Sequence, residues 1–156
     1  MRSDGHTQRE FDADYERLFK AARTVVTNFF RFDPSAVANA VEETMARTFE
    51  RWERVRRHEN RVAWVVACAK DVCLDQLRMD ARRGGGQREP WETLGRLSKF
   101  QRDVAVLRFM MECDEATTAD ALRTTVPTVR ATSFEVVQRL RVLLRDLHQE
   151  PAQAAV

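Results

Sequence analysis

The chain has 156 residues, of which 44% are hydrophobic and 32% are charged, enough for the core of one medium or two small domains. Aromatic residues make up only 8% and glycine occurs five times, a composition that argues against a β-rich fold. The 26 basic residues nearly cancel the 24 acidic ones, so the net charge of +2 is weak evidence for nucleic-acid binding. The longest apolar run, 62–69, is too short to span a bilayer, and no secretory signal precedes the first charged helix. We therefore expect a cytoplasmic protein without membrane insertion.

The first half of the chain predicts three amphipathic helices. Apolar residues recur at steps of three and four over 10–31, which is helical spacing. Asp33 followed by Pro34 indicates an N-cap and a proline in the first turn of a second helix. Asn60 can cap a third helix that continues to the triple glycine. Three such helices predict an all-α bundle over 10–83.

The second half predicts a smaller helical module after a flexible linker. The glycine-rich stretch 84–92 is the expected linker, and 93–147 is the expected module. A short helix at about 115–122, a tight break and a long helix capped by Thr125 are typical of a helix-turn-helix. Because many helical hairpins share this pattern, it leaves DNA binding open. Residues 148–156 are expected to be a frayed tail.

Positive charge is concentrated in the middle of the chain. Residues 51–88 have ten basic and five acidic side chains, whereas 93–156 have nine and eight. The central excess fits either a phosphate-binding surface or an ordinary solvated helix face.

The three cysteines are expected to be buried, reduced thiols. Cys68 and Cys73 are five residues apart on one predicted helix and so point about 140° from each other, which is poor geometry for sharing a metal. Cys113 lies in the second module without a nearby Cys or His partner. Redox sensing or metal binding by these cysteines is the alternative. We expect no metal site and no cofactor.

Enzyme activity is the class that the sequence supports least. The three histidines lie in separate segments, and the sequence has neither a phosphate-binding loop nor a nucleophile elbow. The triple glycine follows a predicted helix rather than a strand. We therefore expect no enzyme and no small-molecule substrate.

Three stretches of the chain match a known pattern in serial order. In 36–52 the match rests on Val41, Glu43, Thr44, Arg47, Phe49 and Trp52. In 63–83 it rests on Ala63-Trp64, Ala69-Lys70, Leu74-Asp75 and the stretch that ends in Arg82-Arg83. In 94–130 it rests on Leu94 to Leu97, Gln101-Arg102, Val106-Leu107-Arg108, Ala119 to Leu122 and Thr128-Val129-Arg130. Together they resemble the regions of the extracytoplasmic-function sigma factors of bacteria, which belong to the sigma-70 family.

The resemblance implies a sigma factor that binds core RNA polymerase, directs promoter-specific initiation and is held by an anti-sigma factor. It assigns polymerase binding to Asn39, Glu42, Glu43, Arg47 and Arg51. It assigns promoter DNA binding to Arg61, Lys70, Asp71, Gln76, Arg78, Arg82, Arg83, Arg123, Thr128, Arg130 and Thr132. Charged side chains of the first group would set orientation and association rate, and basic side chains of the second would neutralise phosphates. Trp52 and Trp64 are expected to be core anchors rather than stacking platforms.

Some residues depart from the family pattern toward weaker DNA handling. Asp71 and Ala67 stand where the promoter-melting helix more often has an asparagine and a basic residue. The linker is also short, because 83–94 spans at most about 36–40 Å when fully extended. Two promoter elements two DNA turns apart are separated by roughly 70 Å. A sigma-like interaction protein that binds polymerase or an anti-sigma factor without its own promoters is therefore the main alternative, and a stand-alone helix-turn-helix regulator is a further one.

Overall fold

The structure is a computed structural model that describes the backbone of residues 2–84 and 88–154, and the side chains of 4–84, 91–143 and 145. Its helices are α1 (Arg2–Phe29), α2 (Pro34–Glu50), α3 (Trp52–Val55), α4 (Arg61–Arg82), α5 (Arg88–Gly95), α6 (Lys99–Ala105), α7 (Glu115–Leu122) and α8 (Val126–Ala154). Residues Val106–Met110 continue α6 as a π-helical turn. No strand occurs in the described residues, so the all-α prediction is confirmed. None of the described helices is long and apolar enough to cross a membrane.

Local capping determines where the helices of the first half begin. The Asp33 carboxylate accepts a hydrogen bond from the Ala36 amide at 3.0 Å, and Pro34 starts α2. The Asn60 side-chain oxygen accepts one from the Ala63 amide at 3.0 Å at the start of α4. Both caps are confirmed, because they depend only on adjacent residues. α1 differs from the prediction, since its helix begins at Arg2 rather than near residue 10.

The core of this N-terminal module lies between α1, α2 and α4, which pack on one another. Leu18, Val65 and Leu77 are almost completely buried, and each buried side chain of this size contributes roughly 1.5–3 kcal/mol of transfer free energy. Trp52 is 1% exposed and its ring meets that of Phe11 edge to face at 5.3 Å, so it is the predicted core anchor. Trp64 is only half-buried.

The C-terminal module is organised by α6, α7 and α8. α7 matches the predicted short helix, and its cap is the Asp114 carboxylate, which accepts from the Thr117 amide at 2.7 Å. The Thr125 hydroxyl accepts from the Thr128 amide at 3.3 Å, as expected for the last helix. Arg123 closes α7 in the left-handed region with a φ of 54° and makes the sharp turn into α8. α7, this turn and α8 have the order of the predicted helix-turn-helix: a short helix, a tight turn and a long helix.

The prediction of a flexible linker over 84–92 is wrong for its second half, because α5 starts at Arg88. Leu94 is buried and Trp91 packs against the core, and these apolar contacts hold the segment as a helix. Gly84 has a φ of 74°, which glycine adopts without strain, and 85–87 lie outside the described residues. The predicted tail also differs, since the backbone of α8 is helical through Ala154.

The two modules lie against each other rather than apart. α5 and α7 both pack on α4, so this one helix has neighbours from both halves of the chain. Apolar residues of both modules belong to one continuous buried cluster. The division of the chain into two domains therefore stays a prediction.

Leu77→Ala should lower the free energy of unfolding by about 2–5 kcal/mol, because Leu77 is 1% exposed and its removal leaves a cavity. Met79→Ala on the same helix is the control, since Met79 is 49% exposed and should change stability by less than about 0.5 kcal/mol. Urea unfolding followed by circular dichroism measures both. Equal effects of the two substitutions would contradict this assignment of the core face.

Candidate functional site

The residues predicted to bind polymerase lie together along the exposed side of α2. Asn39, Glu42 and Glu43 are exposed, and Arg47 follows one turn later at 31% side-chain exposure. Arg51 is exposed at the end of the helix. Because 39, 43 and 47 are spaced by four residues, they form one stripe. We call the stripe of these five residues the α2 face.

Arg47 joins the α2 face to α4. Its guanidinium binds Glu43 at 2.9 Å and lies 3.6 Å from the Asp75 carboxylate. The hydrogen bond to Glu43 raises the pKa of Arg47 above its ordinary value. Arg47 is charged at neutral pH in any case, so the consequence is positional, with the guanidinium held between two helices.

A cleft of about 190 Å³ lies at the boundary of the two modules, beside the α2 face. Arg47 and Arg51 line it from the N-terminal module, and Arg123 lines it from the turn of the helix-turn-helix. Asp71 and Cys68 of α4 form part of its wall. We call this cleft the seam cleft. It brings predicted polymerase-binding and predicted DNA-binding residues into one place.

Arg61, predicted to bind phosphate, is instead a structural link within the N-terminal module. It pairs with Asp14 of α1, donates to the Arg56 carbonyl at 2.8 Å and lies over the Trp52 ring at 5.4 Å. These contacts use a guanidinium that sequence analysis placed at the DNA surface. The Arg61 side chain is nevertheless 32% exposed, so its assignment to DNA binding stays a prediction.

Lys70 also departs from its expected position. Its ammonium lies 3.1 Å from the Asp71 carboxylate and 3.1 Å from that of Asp103 on α6. The Lys70 side chain is only 7% exposed, whereas Asp71 next to it is 63% exposed. The predicted phosphate ligand is thus buried, and its ammonium is paired with a carboxylate of the C-terminal module.

The C-terminal end of α4 keeps an accessible basic group. Arg78, Arg82 and Arg83 are exposed, and Gln76 is half-buried. Arg78 makes a 3.5 Å pair with Asp75, and an exposed pair of this kind is easily replaced. These residues lie just before the glycines, and their role in DNA binding stays a prediction.

The start of α8 presents two of its three predicted DNA-binding residues. Thr128 and Arg130 are exposed, with Arg130 paired to Glu115 at 3.0 Å. Thr132 is 7% exposed, so its expected outward position is wrong. Its spacing from Val129 and Val136 explains this difference, because three and four residues along a helix reach the same face.

Comparison with known proteins identifies the fold. No family model and no curated protein matches the chain. Four solved protein chains are similar, among them the structure of CnrH in complex with the cytosolic domain of CnrY. That match has a TM-score of 0.53 at 20% sequence identity and covers 90% of this chain and 88% of that chain. CnrH is an extracytoplasmic-function sigma factor.

This chain has the fold of an extracytoplasmic-function sigma factor. The similarity extends over nearly all of both chains, so it includes the N-terminal bundle and the helix-turn-helix. At this level of identity the comparison establishes the fold, and the activity has to be argued from the site.

Asp103 is a functional candidate that sequence analysis missed. It lies on the face of α6 that also carries Val106 and Leu107, three and four residues further on, and both of these are fully buried. A carboxylate on such a stripe requires a cation or several donors. The spacing of Asp103 from Val106 and Leu107 is the sequence signal that indicates its burial. It does not identify Lys70 as the partner of the carboxylate.

The three thiols are buried and free, as predicted. Burial raises the pKa of Cys68 and of Cys113 to about 11, and it raises the pKa of Cys73 still further. The described residues contain no group of three or more side chains that could hold a metal. The neutral thiol is the favoured form in the fold, so its stabilising effect is complete below about pH 9 and is lost as the pH rises toward 11.

At pH 8 the folded protein should react with an aromatic disulfide reagent about a hundredfold more slowly than an ordinary cysteine, because a two-unit rise in pKa lowers the thiolate fraction a hundredfold. Met79→Cys supplies an exposed thiol on α4 as the control and should react at the ordinary rate. Absorbance of the released thiolate measures both rates. A native thiol that reacts as fast as the thiol introduced by Met79→Cys would contradict the buried placement.

Proposed function

We propose that this protein is a sigma factor that binds core RNA polymerase and directs promoter-specific transcription initiation. The observation behind the proposal is that three sequence stretches that resemble sigma-factor regions fall, in order, on helices of a chain whose fold is similar to that of CnrH. The stretch 36–52 lies on α2, 63–83 lies on α4, and 94–130 extends from α5 into α8. The likeness to CnrH includes both modules, which a chance helical hairpin would not.

The α2 face has the chemistry needed for a charged protein partner. Glu42 and Glu43 are exposed carboxylates, and Arg51 adds an exposed guanidinium at the end of the helix. The acidic residues lie in the middle of the face and the basic ones toward its end, which favours a partner with the complementary pattern, and such contacts raise the association rate and define orientation. This is the surface that would bind core polymerase.

Promoter DNA would be bound by two exposed groups on different modules. Arg78, Arg82 and Arg83 at the end of α4 can neutralise phosphates, and Gln76 can contact a base edge. The second group is the start of α8, where Thr128 and Arg130 face outward in the way a recognition helix requires, next to Arg123.

An anti-sigma factor is the further partner that we propose. CnrH was solved with the cytosolic domain of CnrY, and the present chain matches CnrH over both modules. A protein that covered the α2 face or the boundary between the modules would block polymerase binding. Because we propose that core polymerase and an anti-sigma factor are its partners, we also propose that the protein acts in the cytoplasm.

A second candidate function is a sigma-like protein that binds polymerase or an anti-sigma factor without promoters of its own. The observation in its favour is Lys70, which is buried where the resemblance expects a phosphate ligand. The short connection between the modules supports it too, because with α5 helical only four residues lie between Arg83 and Arg88, and the distance between these two spans at most about 17–18 Å when extended.

Run-off transcription distinguishes these two functions. Purified core polymerase and the full chain are incubated with a library of genomic fragments, and the transcripts are sequenced. We expect discrete starts that depend on the added chain. Retention of core polymerase without any dependent transcript would instead support the second function.

Glu43→Lys should weaken binding to core polymerase about tenfold, because it reverses an exposed charge in the middle of the α2 face. Glu16→Lys is the matched control, since it makes the same charge change at an exposed position of α1. Fluorescence anisotropy of the labelled chain titrated with core polymerase measures both affinities. Equal affinities for Glu43→Lys and wild type would remove this residue from the interface.

Arg78→Gln combined with Arg82→Gln should reduce the salt dependence of binding to the melted promoter strand. Two lost phosphate contacts lower the slope of log K against log salt concentration by roughly 1.4 for a single strand. The measurement uses the polymerase-bound chain and a fragment that is active in the run-off assay. The control combines Lys20→Gln with a glutamine substitution at a second exposed lysine or arginine of α1. It removes the same amount of charge and should leave the slope unchanged.

A further inference from the structure

Between residues that the structure describes, four polar contacts connect the two modules across their boundary. They join Asn28 to the Met111 carbonyl at 3.0 Å, Arg31 to Glu112, Asn60 to Asp120 at 2.9 Å, and Lys70 to Asp103 at 3.1 Å. The contacts come from α1, α4 and the segments beside them on one side, and from α6, α7 and the π turn on the other. The boundary is therefore a specific interface between the two modules.

The Lys70–Asp103 pair differs from the others in its burial. Its side chains are 7% and 11% exposed, whereas those of Arg31 and Glu112 are 55% and 54% exposed. Exposed ion pairs contribute little because water screens both charges. Removing one partner of a buried pair is unfavourable: without Asp103 the buried Lys70 ammonium keeps only Asp71, and without Lys70 the buried Asp103 carboxylate loses its paired cation. The state of this boundary therefore depends more on Lys70 and Asp103 than on the exposed pair.

We propose that the Asp103 carboxylate is an intramolecular competitor for DNA phosphate, which holds Lys70 inside a closed, DNA-incompetent arrangement of the two modules. The inference rests on the proposed function. Lys70 follows the promoter-melting pattern, and the group now opposite its ammonium is an anionic oxygen, the same chemistry that a phosphate offers. Asp71 stays beside Lys70 in any arrangement because it is the next residue, so Asp103 is the partner that opening removes.

The packing around the pair means that the Lys70 ammonium can bind either the Asp103 carboxylate or a DNA phosphate, but not both at once. Asp103 belongs to a helix whose next residues, Val104 and Ala105, are buried in the C-terminal module. The carboxylate can therefore leave Lys70 only if the module moves with it. Opening would also uncover the seam cleft, where Arg123 of the C-terminal module faces Arg47 and Arg51.

The test compares two substitutions that remove the same charge from the same boundary. Asp103→Asn breaks the buried pair and Glu112→Gln breaks the exposed one, so the change in net charge is identical. Separation of the modules is measured by energy transfer between dyes on Met79→Cys of α4 and Phe134→Cys of α8, which are both exposed positions. The native thiols are buried and label slowly.

We expect Asp103→Asn to lower the transfer efficiency and to tighten binding of a short mixed-sequence single-stranded oligonucleotide on the order of tenfold, as measured with the unlabelled chain. Glu112→Gln should remain within about twofold of wild type. A third variant, Lys70→Met with Asp103→Leu, replaces the pair by apolar side chains of similar size and should stay closed without gaining affinity.

Three results would overturn the proposal. One is an Asp103→Asn protein with wild-type transfer efficiency, and another is equal DNA affinities of Asp103→Asn and Glu112→Gln. The third is an Asp103→Asn protein that loses the helical signal of both modules together while the Met/Leu variant stays folded, because the pair would then serve only global stability. Retention of core polymerase by wild type is measured alongside. If wild type does not retain core polymerase, the proposed function is rejected. The transfer efficiencies test the closed arrangement of the modules independently of that result.

Discussion

Helix α4 is the constraint on which the remaining structure depends. It packs on α1 and α2 to complete the N-terminal bundle, and α5 and α7 pack on it from the other module. A helix with neighbours on so many sides has little surface left for a ligand. Each charged residue of α4 must therefore be satisfied by another part of the chain or lie in the narrow strip that remains exposed.

The charges of α4 divide along its length for this reason. Near the beginning, Arg61 is held by Asp14 and Trp52, and in the middle Lys70 is held by Asp103. Only at the end, beyond the overlying helices, are Arg78 and Arg82 exposed. The basic excess of the sequence is thus partly internal, which explains why a count of charges overstates the phosphate-binding surface of this arrangement.

Sequence patterns predicted the elements well wherever the cause was local. Asp33, Asn60 and Thr125 cap helices because their side chains reach amides three residues away, and no distant contact is needed. The placement of Thr132 was wrong although its signal was also local, since its spacing from Val129 already placed it on the buried stripe. The helix over Arg88–Gly95 depends on packing of Trp91 and Leu94 against the core, which periodicity does not supply, whereas the extra first turns of α1 are largely exposed.

The position of Lys70 was beyond sequence analysis for a different physical reason. A lysine on a helix is ordinarily exposed, and its burial requires an anion from 33 residues further along the chain, on an element whose approach depends on the fold of both modules. Because a buried ion pair gains little net free energy relative to apolar side chains of the same size, the pair contributes more to the specificity of the boundary than to its strength. Apolar contacts also hold the boundary, since residues of both modules belong to one continuous buried cluster. The Lys70–Asp103 pair is the contact of this boundary that conceals the predicted DNA ligand.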